Sequence, residues 1–568
     1  MRPRTIVRLA FTLFPLATTG AAAQTAVASA IATSQHRELP ADQQIIHALS
    51  RLTFGAKPGD VLEVRAIGLD KWIDQQLHPE RIDDSAVEAF VSRYSAINRD
   101  QHDLLRQYAD QLRQRREARR DMTDSSMTGT DSVRMRRELR QLGNSRRDVV
   151  NQLLSSRVAR AVASERQLQE VMTDFWHNHF NIFAQKGLPE PYYLVDFDQN
   201  VIRPRALGKF RDLLGAVAQS PAMLFYLDNA RSRAERLNEN YGRELLELHT
   251  LGVDGGYTQQ DVINVARAFT GWTIRPPQQG GGFIFRPQVH DAGEKTVLGH
   301  KLAAGRGLED AQDVLDILAR SPVTARFIAT KIARRFVSDV PPKALVDRAA
   351  QVFLKTDGDI REVVRTIVTS PEFFSQQVFR SKVKSPFEVV VSAMRALNAR
   401  PDSTPRTAQV IAYLGQPIFG HQAPNGWPET GESWMNTGAI LNRINFGMAA
   451  AAGRMPGIDI RAIPALDTIR SASRETQVDV VVSTLLNGMV SPDTRAVLVS
   501  GENPLIANTS KVGIPDVTAE SAAAANEARM DGGRRVANQR RVIGNLPPLN
   551  GLQQIVGLAL GSPEFQRR

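Results

Sequence analysis

Two histidines separated by one residue, His177 and His179, are the first candidates for chemistry in this sequence. They lie among aromatic residues in the segment 175–181, at the predicted end of a helix. On a helix, residues two apart point about 200° away from each other, whereas in an extended segment they share a face and can bind one metal ion. In the alternative interpretation, one histidine is buried and hydrogen-bonded and the other caps carbonyl groups at the helix end. The sequence alone leaves both interpretations open.

A second candidate is Glu244, which belongs to a predicted amphipathic helix. At 100° per residue, Asn240, Glu244 and Glu247 form one polar stripe, and His249 faces nearly the opposite way. Because leucines border this stripe, the Glu244 carboxylate must be paired, bound to a metal, or raised in pKa. Glu247 has an ordinary partner in Arg243, four residues earlier. We therefore predict that Glu244 is a metal ligand or general base, with a structural salt bridge as the alternative.

The third candidate is the pair His290 and Asp291, in a polar turn after a predicted strand. A neighbouring imidazole and carboxylate can bind a metal or act as acid and base, and they can equally form an ordinary turn. Together with His177 and His179, this pair would hold a divalent metal ion. Glu244 would then be the catalytic residue, and metal-bound water the nucleophile.

The composition leaves histidine and carboxylate side chains as the candidate metal ligands and catalytic groups. The chain has 568 residues, 71 basic and 60 acidic, with 42% apolar content and no cysteine. These values are typical of a folded protein and exclude a disordered tail, a disulfide scaffold and a multi-span membrane protein. The absence of cysteine excludes thiol catalysis, cysteine-ligated zinc and iron–sulfur clusters. No phosphate-binding loop, dinucleotide fingerprint, serine elbow or His-Glu-x-x-His motif occurs in a convincing context.

The N-terminus predicts export. Arg2, Arg4 and Arg8 precede a short apolar run, and Ala21 and Ala23 fit the small-x-small cleavage rule. We expect a signal peptide at 1–23 and a periplasmic or secreted protein. Removing the three arginines lowers the formal net charge from +11 to +8. The apolar run is too short to span a bilayer, and no other stretch of about 20 apolar residues follows, so no transmembrane segment is expected after cleavage.

Apolar periodicity predicts a mainly α, multi-helical globular body that spans residues 46–500, after a flexible leader at 24–45. A small β-hairpin is predicted near 283–298, with 283–285 paired to 296–298. Residues 501–568 are predicted to hold a flexible insertion and a C-terminal helix. Thr258 is expected to cap a helix, with Asp261 in its first turn.

Residues 99–147 form a basic segment with 13 arginines and 8 acidic residues, predicted as a helical hairpin. The ordinary interpretation is a solvated hairpin, and the functional one is contact with an anionic polymer or a membrane surface. Tyr108 is its one aromatic residue, so stacking on single-stranded nucleic acid is not expected. Export also argues against a nucleic-acid partner.

Segments along nearly the whole mature chain resemble a bacterial family known as domain of unknown function 1800. The matching segments are residues 47–60, 175–183, 238–252, 257–272, 290–299, 324–339, 382–386, 414–419, 425–428, 434–446 and 562–568. The resemblance implies a secreted, largely helical protein whose gene often neighbours an exported sulfatase-like family, which suggests a partner. The sequence departs from the family at Gly242, where alanine is usual, and at His249, where phenylalanine is expected. Compared with the family pattern, residues 501–546 look like an elaboration of the usual C-terminal part.

Two functions follow from these observations. The first is a metal-dependent hydrolase that acts in the envelope or outside the cell. The second is a non-catalytic envelope or matrix protein that binds an anionic polymer through the 99–147 hairpin, or assembles with the sulfatase-like partner.

Overall fold

The computed structural model describes residues 37–121, 129–502 and 549–568. The predicted signal peptide, most of the predicted leader and residues 503–548 of the predicted insertion lie outside these ranges. Within the described residues, helices dominate and the strands are short, which confirms the mainly α prediction. Helix α1 begins at Ala41, five residues before the predicted start near Ile46, and Leu39 is already buried.

The helices of the N-terminal half surround the segments with candidate chemistry. They are α1 (Ala41–Leu52), α2 (Asp60–Ile67), α3 (Leu69–Leu77), α4 (Ser85–Val91), α5 (Gln101–Asp121), α6 (Gly129–Ala163), α7 (Gln167–His179), α8 (Glu190–Asp196), α9 (Phe210–Gln219), α10 (Pro221–Tyr226), α11 (Asn240–Glu244) and α12 (Gln259–Ala268).

The C-terminal half is also mainly helical in the described ranges. Its helices are α13 (Leu308–Ala319), α14 (Pro322–Phe336), α15 (Lys343–Lys355), α16 (Ile360–Val368), α17 (Pro386–Ala396), α18 (Arg406–Tyr413), α19 (Thr437–Ala451), α20 (Pro464–Asp467), α21 (Arg474–Leu486), α22 (Pro492–Ser500), α23 (Gly551–Gly561) and α24 (Pro563–Gln566).

Local sequence explains where several helices begin. Thr258 caps α12: its hydroxyl accepts from the Asp261 backbone N–H, and the Asp261 carboxylate accepts from the Thr258 N–H, which confirms the predicted cap. In α16, Asp359 caps the N-terminus and the apolar residues recur at helical spacing, all of them buried. Such helices bury one face in a single core that runs through the described chain.

Helices α19 and α23 cross unusually closely because glycines lie at the crossing. A Cβ atom on Gly447 would lie 2.7 Å from the Gly557 carbonyl oxygen, and one on Gly561 would lie 3.2–3.3 Å from atoms of Ile444. Larger side chains would push the helices apart. This packing fixes the C-terminal helix, and with it residues 562–568, against the main body.

In the described ranges, the strands form two small antiparallel hairpins instead of the one predicted. Strand β1 (Trp272–Ile274) pairs with β2 (Phe283–Phe285), and β3 (Lys295–Val297) pairs with β4 (His300–Leu302). The predicted pairing of 283–285 with 296–298 is therefore wrong. Each segment instead pairs with its sequence neighbour across a shorter connection, which costs less loop-closure entropy.

In the part of the chain that the structure describes, two π-helical turns follow regular helices. The first, Phe197–Ile202, continues α8, and the second, Leu245–Thr250, continues α11. A π turn holds more residues per turn than an α-helix, so side chains after it are rotated relative to an ideal wheel. The first turn carries Asp198 and the second carries His249.

The basic segment is helical on both sides of residues 122–128, which lie outside the described ranges. Helix α5 is not fully solvated, because Leu104, Leu105 and Tyr108 are buried and the Tyr192 hydroxyl donates to the Gln111 side-chain oxygen at 3.1 Å. One face of α5 therefore belongs to the core. No helix in the described ranges is long and apolar enough to cross a bilayer.

Candidate functional site

His177 and His179 lie in the last turn of α7 and make different contacts. The Nε2 atom of His177 lies 2.8 Å from Oδ1 of Asp198, which is completely buried. The Nε2 atom of His179 bonds to the His249 carbonyl oxygen at 3.1 Å. Because the segment is helical, the two imidazoles point apart, and they do not form a bidentate metal element.

His249 is the actual neighbour of His179, with ring centroids 6.2 Å apart. It is buried, and neither ring nitrogen has a hydrogen-bond partner. Burial, with help from Lys331, lowers the pKa of His249 to about 3. His249 lies in the second π turn, and its ring packs beside that of Phe180, 5.0 Å away.

His290 and Asp291 are adjacent in sequence, yet each has its own partner. The Nδ1 atom of His290 lies 2.8 Å from the Thr270 carbonyl oxygen, and its Nε2 atom lies 3.3 Å from the buried carboxylate of Asp310. Asp291 receives two bonds from Arg267, at 2.7 and 3.1 Å. That contact, above all others, lowers the pKa of Asp291.

Glu244 ends α11 in a half-buried position. Burial raises its pKa, and the neighbouring Glu247 adds to this effect while Arg243 opposes it. The predicted ion pair between Arg243 and Glu247 is present at 3.7 Å. In the described ranges, no group of three or more His, Asp or Glu side chains is arranged to hold a metal ion. The five predicted site residues are thus not gathered in one place.

One of the five, His177, instead lines a cavity of about 90 Å³. This volume holds a few water molecules or one small acidic group of a ligand. The cavity lies where the ends of α7 and α14 meet the start of α17 and the loop at 416–434. Its charged wall residues are Arg157, Asp174, Arg335, Lys382, Glu388, Glu429 and Arg568.

Asp174 and His177 lie on the same face of α7, because they are three residues apart. Burial and Arg157 lower the pKa of His177 to about 4, so its imidazole is neutral near pH 7. Burial raises the pKa of Asp174, in spite of Arg157 and Arg335. The cavity wall thus combines a neutral imidazole and a carboxyl group with a raised pKa.

Asp198 orients the imidazole from behind. Burial alone would raise the pKa of Asp198, but Arg203, His177 and Arg157 outweigh it and hold the pKa far below its usual range. An ionised Asp198 accepts a hydrogen bond from Nε2–H, so Nδ1 is the unprotonated nitrogen of the neutral ring. Nδ1 of His177 is buried and has no hydrogen-bond partner. This carboxylate–imidazole arrangement is that of an oriented general base.

The cavity is rich in buried guanidinium groups. Glu388 pairs with Arg335 at 2.7 Å and with Arg568 at 3.1 Å, and Asp174 pairs with Arg157 at 3.0 Å. Burial would raise the pKa of Glu388, but Arg335 and Arg568 outweigh it and lower that pKa to about 2. The carboxylate therefore stays ionised between the two arginines.

Several guanidinium donors of this wall still lack an acceptor. They are Nη1 of Arg157, Nε of Arg335, and both Nε and Nη1 of Arg568, all of them buried. Arg157 Nη1 lies 3.7 Å from Asp198, too far for a hydrogen bond. Both carboxylate oxygens of Glu429 on the same wall also lack a hydrogen bond. The cavity therefore offers unpaired donors and acceptors, and its arginine donors can bind an anionic group.

A loop at 421–428 covers the cavity and is fixed to α7. The Asn181 side chain donates to the carbonyl oxygens of His421 and Ala423, at 3.1 and 2.7 Å. A Cβ atom on Gly426, whose φ is +73°, would lie 2.2 Å from the Asn178 carbonyl oxygen, so this approach requires glycine. The loop places Trp427, half-buried and 6.0 Å from Trp434, on the cavity wall.

Sequence reasoning identified His177 but missed Asp198, Asp174 and the arginines. The sequence feature that could have identified them is a charged residue inside an apolar stretch, which indicates a buried charge. Arg157 in α6 and Glu388 in α17 are examples. Several segments that carry the family resemblance contribute residues to the cavity wall. They are 175–183, 382–386, 425–428 and 562–568.

No curated protein and no solved structure matched the chain. The model of one family, described as "Protein of unknown function (DUF1800)", matches residues 47–567. This match covers nearly every element described above, including all the walls of the cavity except Arg568. The chain therefore belongs to the DUF1800 family.

Proposed function

We propose that the protein is a hydrolase that acts on an anionic ester, with the His177 cavity as its active site. The observation that carries this proposal is the His177 imidazole, held by Asp198 through Nε2 with Nδ1 unpartnered, beside arginines with unpaired donors. A general base and an anion-binding wall are the two parts that such a reaction needs.

In the proposed reaction, the acidic group of the substrate binds the donors of Arg157, Arg335 and Arg568. Nδ1 of His177 takes a proton from water as the water oxygen attacks the ester. Asp198 stabilises the imidazolium that forms. Asp174, three residues from His177 on the same helix face, gives a proton to the leaving oxygen.

The test is hydrolysis of nitrophenyl phosphate, sulfate and acetate by the purified protein. We expect activity on an anionic ester, an acid limb of the pH–rate profile near pH 4 from His177, and a loss of at least 100-fold in kcat for His177→Gln. His290→Gln is the matched control, since His290 is also buried beside a carboxylate but lies outside the cavity. Wild-type protein that hydrolyses none of the esters, or equal losses in both variants, would overturn the proposal.

We place this activity in the periplasm or outside the cell, in agreement with the signal peptide predicted at 1–23. An exported sulfatase-like protein is the partner proposed from the family resemblance. N-terminal sequencing of protein from a bacterial envelope fraction tests the location, with Gln24 expected as the first residue. An intact N-terminus in the cytosol would contradict it.

A second candidate function, binding of an anionic polymer, is favoured by the exposed face of α5, which carries Arg106, Arg113 and Arg116. Deleting the hairpin would also remove the buried Leu104 and Leu105 from the core, so reversing these charges is the cleaner test. We expect the triple Arg→Glu variant to elute from an anionic polysaccharide column at lower salt than wild type. Unchanged retention would exclude this face.

A further inference from the structure

A second cavity, of about 590 Å³, lies on another side of α17. Its walls come from α1, the loop at 55–59, the end of α21 and residues 564–568. Ser392, in the middle of α17, and Lys384, just before this helix, both line it. Neither residue belongs to the proposed hydrolase cavity.

The Lys384 Nζ atom lies 3.0 Å from the Ser392 Oγ atom, and both side chains are buried. The Ser392 hydroxyl also donates to the Val389 carbonyl oxygen at 3.1 Å. The Lys384 backbone is fixed by a bond from its N–H to the Gln566 carbonyl oxygen, at 2.9 Å. The lysine position is thus set by main-chain contacts as well as by its side chain.

Gly55 closes this wall of the cavity. Its φ is +113°, and a Cβ atom there would lie 3.0 Å from Ser392 Cβ, so a larger residue would press on the serine. Lys384 lies with its Nζ 4.1 Å from the centre of the Phe565 ring. The hydroxyl and the amine are therefore held together between two packed surfaces.

The surroundings favour a neutral amine. Burial, opposed by Glu388 and aided by Arg380, Arg568 and Arg443, lowers the pKa of Lys384 to about 7. A neutral lysine can accept a proton from a serine hydroxyl, because that hydroxyl can rotate from Val389 toward Nζ. Serine–lysine pairs are a known form of activated nucleophile.

We propose that Ser392 and Lys384 form a nucleophile–base pair for acyl transfer from a carboxylate-bearing ester. The charge of the cavity indicates an acidic substrate: besides Lys384, its walls carry five basic side chains and only two carboxylates, Asp42 and Glu564. This site has its own nucleophile and base, although Arg568 lies in the walls of both cavities.

The reaction balances within the pair. As the Ser392 Oγ–carbon bond forms at the acyl carbon, Nζ takes the hydroxyl proton. The bond from the acyl carbon to the leaving oxygen then breaks, and the leaving oxygen takes that proton from Nζ. Water then attacks the acyl carbon while Nζ takes a proton from it. The acyl carbon–Oγ bond breaks and Oγ takes that proton from Nζ, which releases the carboxylic acid and restores the serine hydroxyl.

The test uses an alkyl fluorophosphonate, which forms an Oγ–phosphorus bond and releases fluoride. Peptide mass analysis should find the label on Ser392, at a rate that rises with pH through the ionisation of Lys384. Ser392→Ala should abolish it. Lys384→Met and Lys384→Arg should each slow it at least 100-fold, because arginine keeps the charge but cannot act as base.

Ser50→Ala and Ser483→Ala are the controls, since both serines line the same cavity. They and His177→Gln should label like wild type, which separates this site from the hydrolase cavity. A cooperative thermal unfolding transition shows that each variant is folded. If the Lys384 variants do not fold, Ser392→Ala still tests the site, because it leaves the buried lysine in place. No label on Ser392 at pH 9, or an unchanged rate in a folded Lys384 variant, would overturn the proposal.

Discussion

Asn178 and Trp427, 249 positions apart in the sequence, exchange two hydrogen bonds. The Asn178 side chain donates to the Trp427 carbonyl oxygen at 2.9 Å, and the Trp427 backbone N–H donates to the Asn178 side-chain oxygen at 2.7 Å. The amide side chain of Asn178 thus pairs with both backbone groups of Trp427, as a neighbouring β-strand would, and holds the loop over the cavity.

Asn178→Ala should therefore loosen the loop. We expect a loss of about 1–3 kcal/mol in the free energy of unfolding, because two backbone groups lose their partner, and a red shift of tryptophan emission as Trp427 is freed. Asn425→Ala is the control, because the Asn425 side chain is hydrogen-bonded to His421 within the same loop. Equal losses in the two variants would show that the loop is not held through Asn178.

Glu388 should be among the most sensitive positions of the fold. Glu388→Gln leaves Arg335 and Arg568 buried without their anion, and we expect it to cost about 3–5 kcal/mol of unfolding free energy. Glu372→Gln, which affects a more exposed pair with Arg348 at 2.7 Å, should cost no more than about 1 kcal/mol. Denaturant unfolding of both variants decides whether burial makes this difference.

The same carboxylate gives an acid-stability prediction. The folded-state pKa of Glu388 is about 2, below its ordinary value of 4.5. Its contribution is therefore complete above pH 4.5 and is lost as the pH falls toward 2, by about 3 kcal/mol in all. A Glu388→Gln variant should show a correspondingly flatter stability curve in this window. An unchanged slope would mean that the arginines do not hold the ionised form.

His249 should make the protein less stable in mild acid. Its pKa falls from 6.5 to about 3 in the folded state, so the unfolded chain binds the proton more readily. Stability should decline as the pH falls from 6.5, by about 2 kcal/mol at pH 5 from this residue. His249→Phe should remove that slope and raise stability near pH 7, because it deletes a buried polar ring without partners. A destabilised variant with the wild-type slope would contradict this.

Metal analysis distinguishes the proposed base mechanism from the predicted metal site. We expect the metal content of the purified protein to be the same in wild type and in a His177→Gln/His179→Gln double variant. The reason is that Asp198 and the His249 carbonyl group already engage the Nε2 atoms. Loss of one bound ion per chain in the double variant would restore the metal hypothesis.

Helices with a clear apolar stripe could be predicted from sequence. Helix α16, Ile360–Val368, is an example, because Ile360, Val363, Val364 and Ile367 repeat at helical spacing and are all buried. The cap at Thr258 was also predictable, since it depends on residues three apart. Local spacing determines both features.

The candidate site was harder to predict because its parts are distant in sequence. Arg157, Asp198, Arg335 and Glu388 meet only after the chain folds, and no spacing rule links them. Asp198 lies in a π turn, which an ideal helical wheel does not anticipate. The His-x-His spacing drew attention to the right helix, but the helical backbone directs the two rings to different partners.

Arg568 is part of the walls of both cavities. Its charge contributes to the low pKa of Lys384. An anion that binds beside Arg568 in the first cavity would offset this charge, and the lysine amine would then hold its proton more strongly. By thermodynamic reciprocity, deprotonation of the lysine would in turn weaken anion binding. A single guanidinium thus makes occupancy of one cavity and nucleophile activation in the other mutually antagonistic.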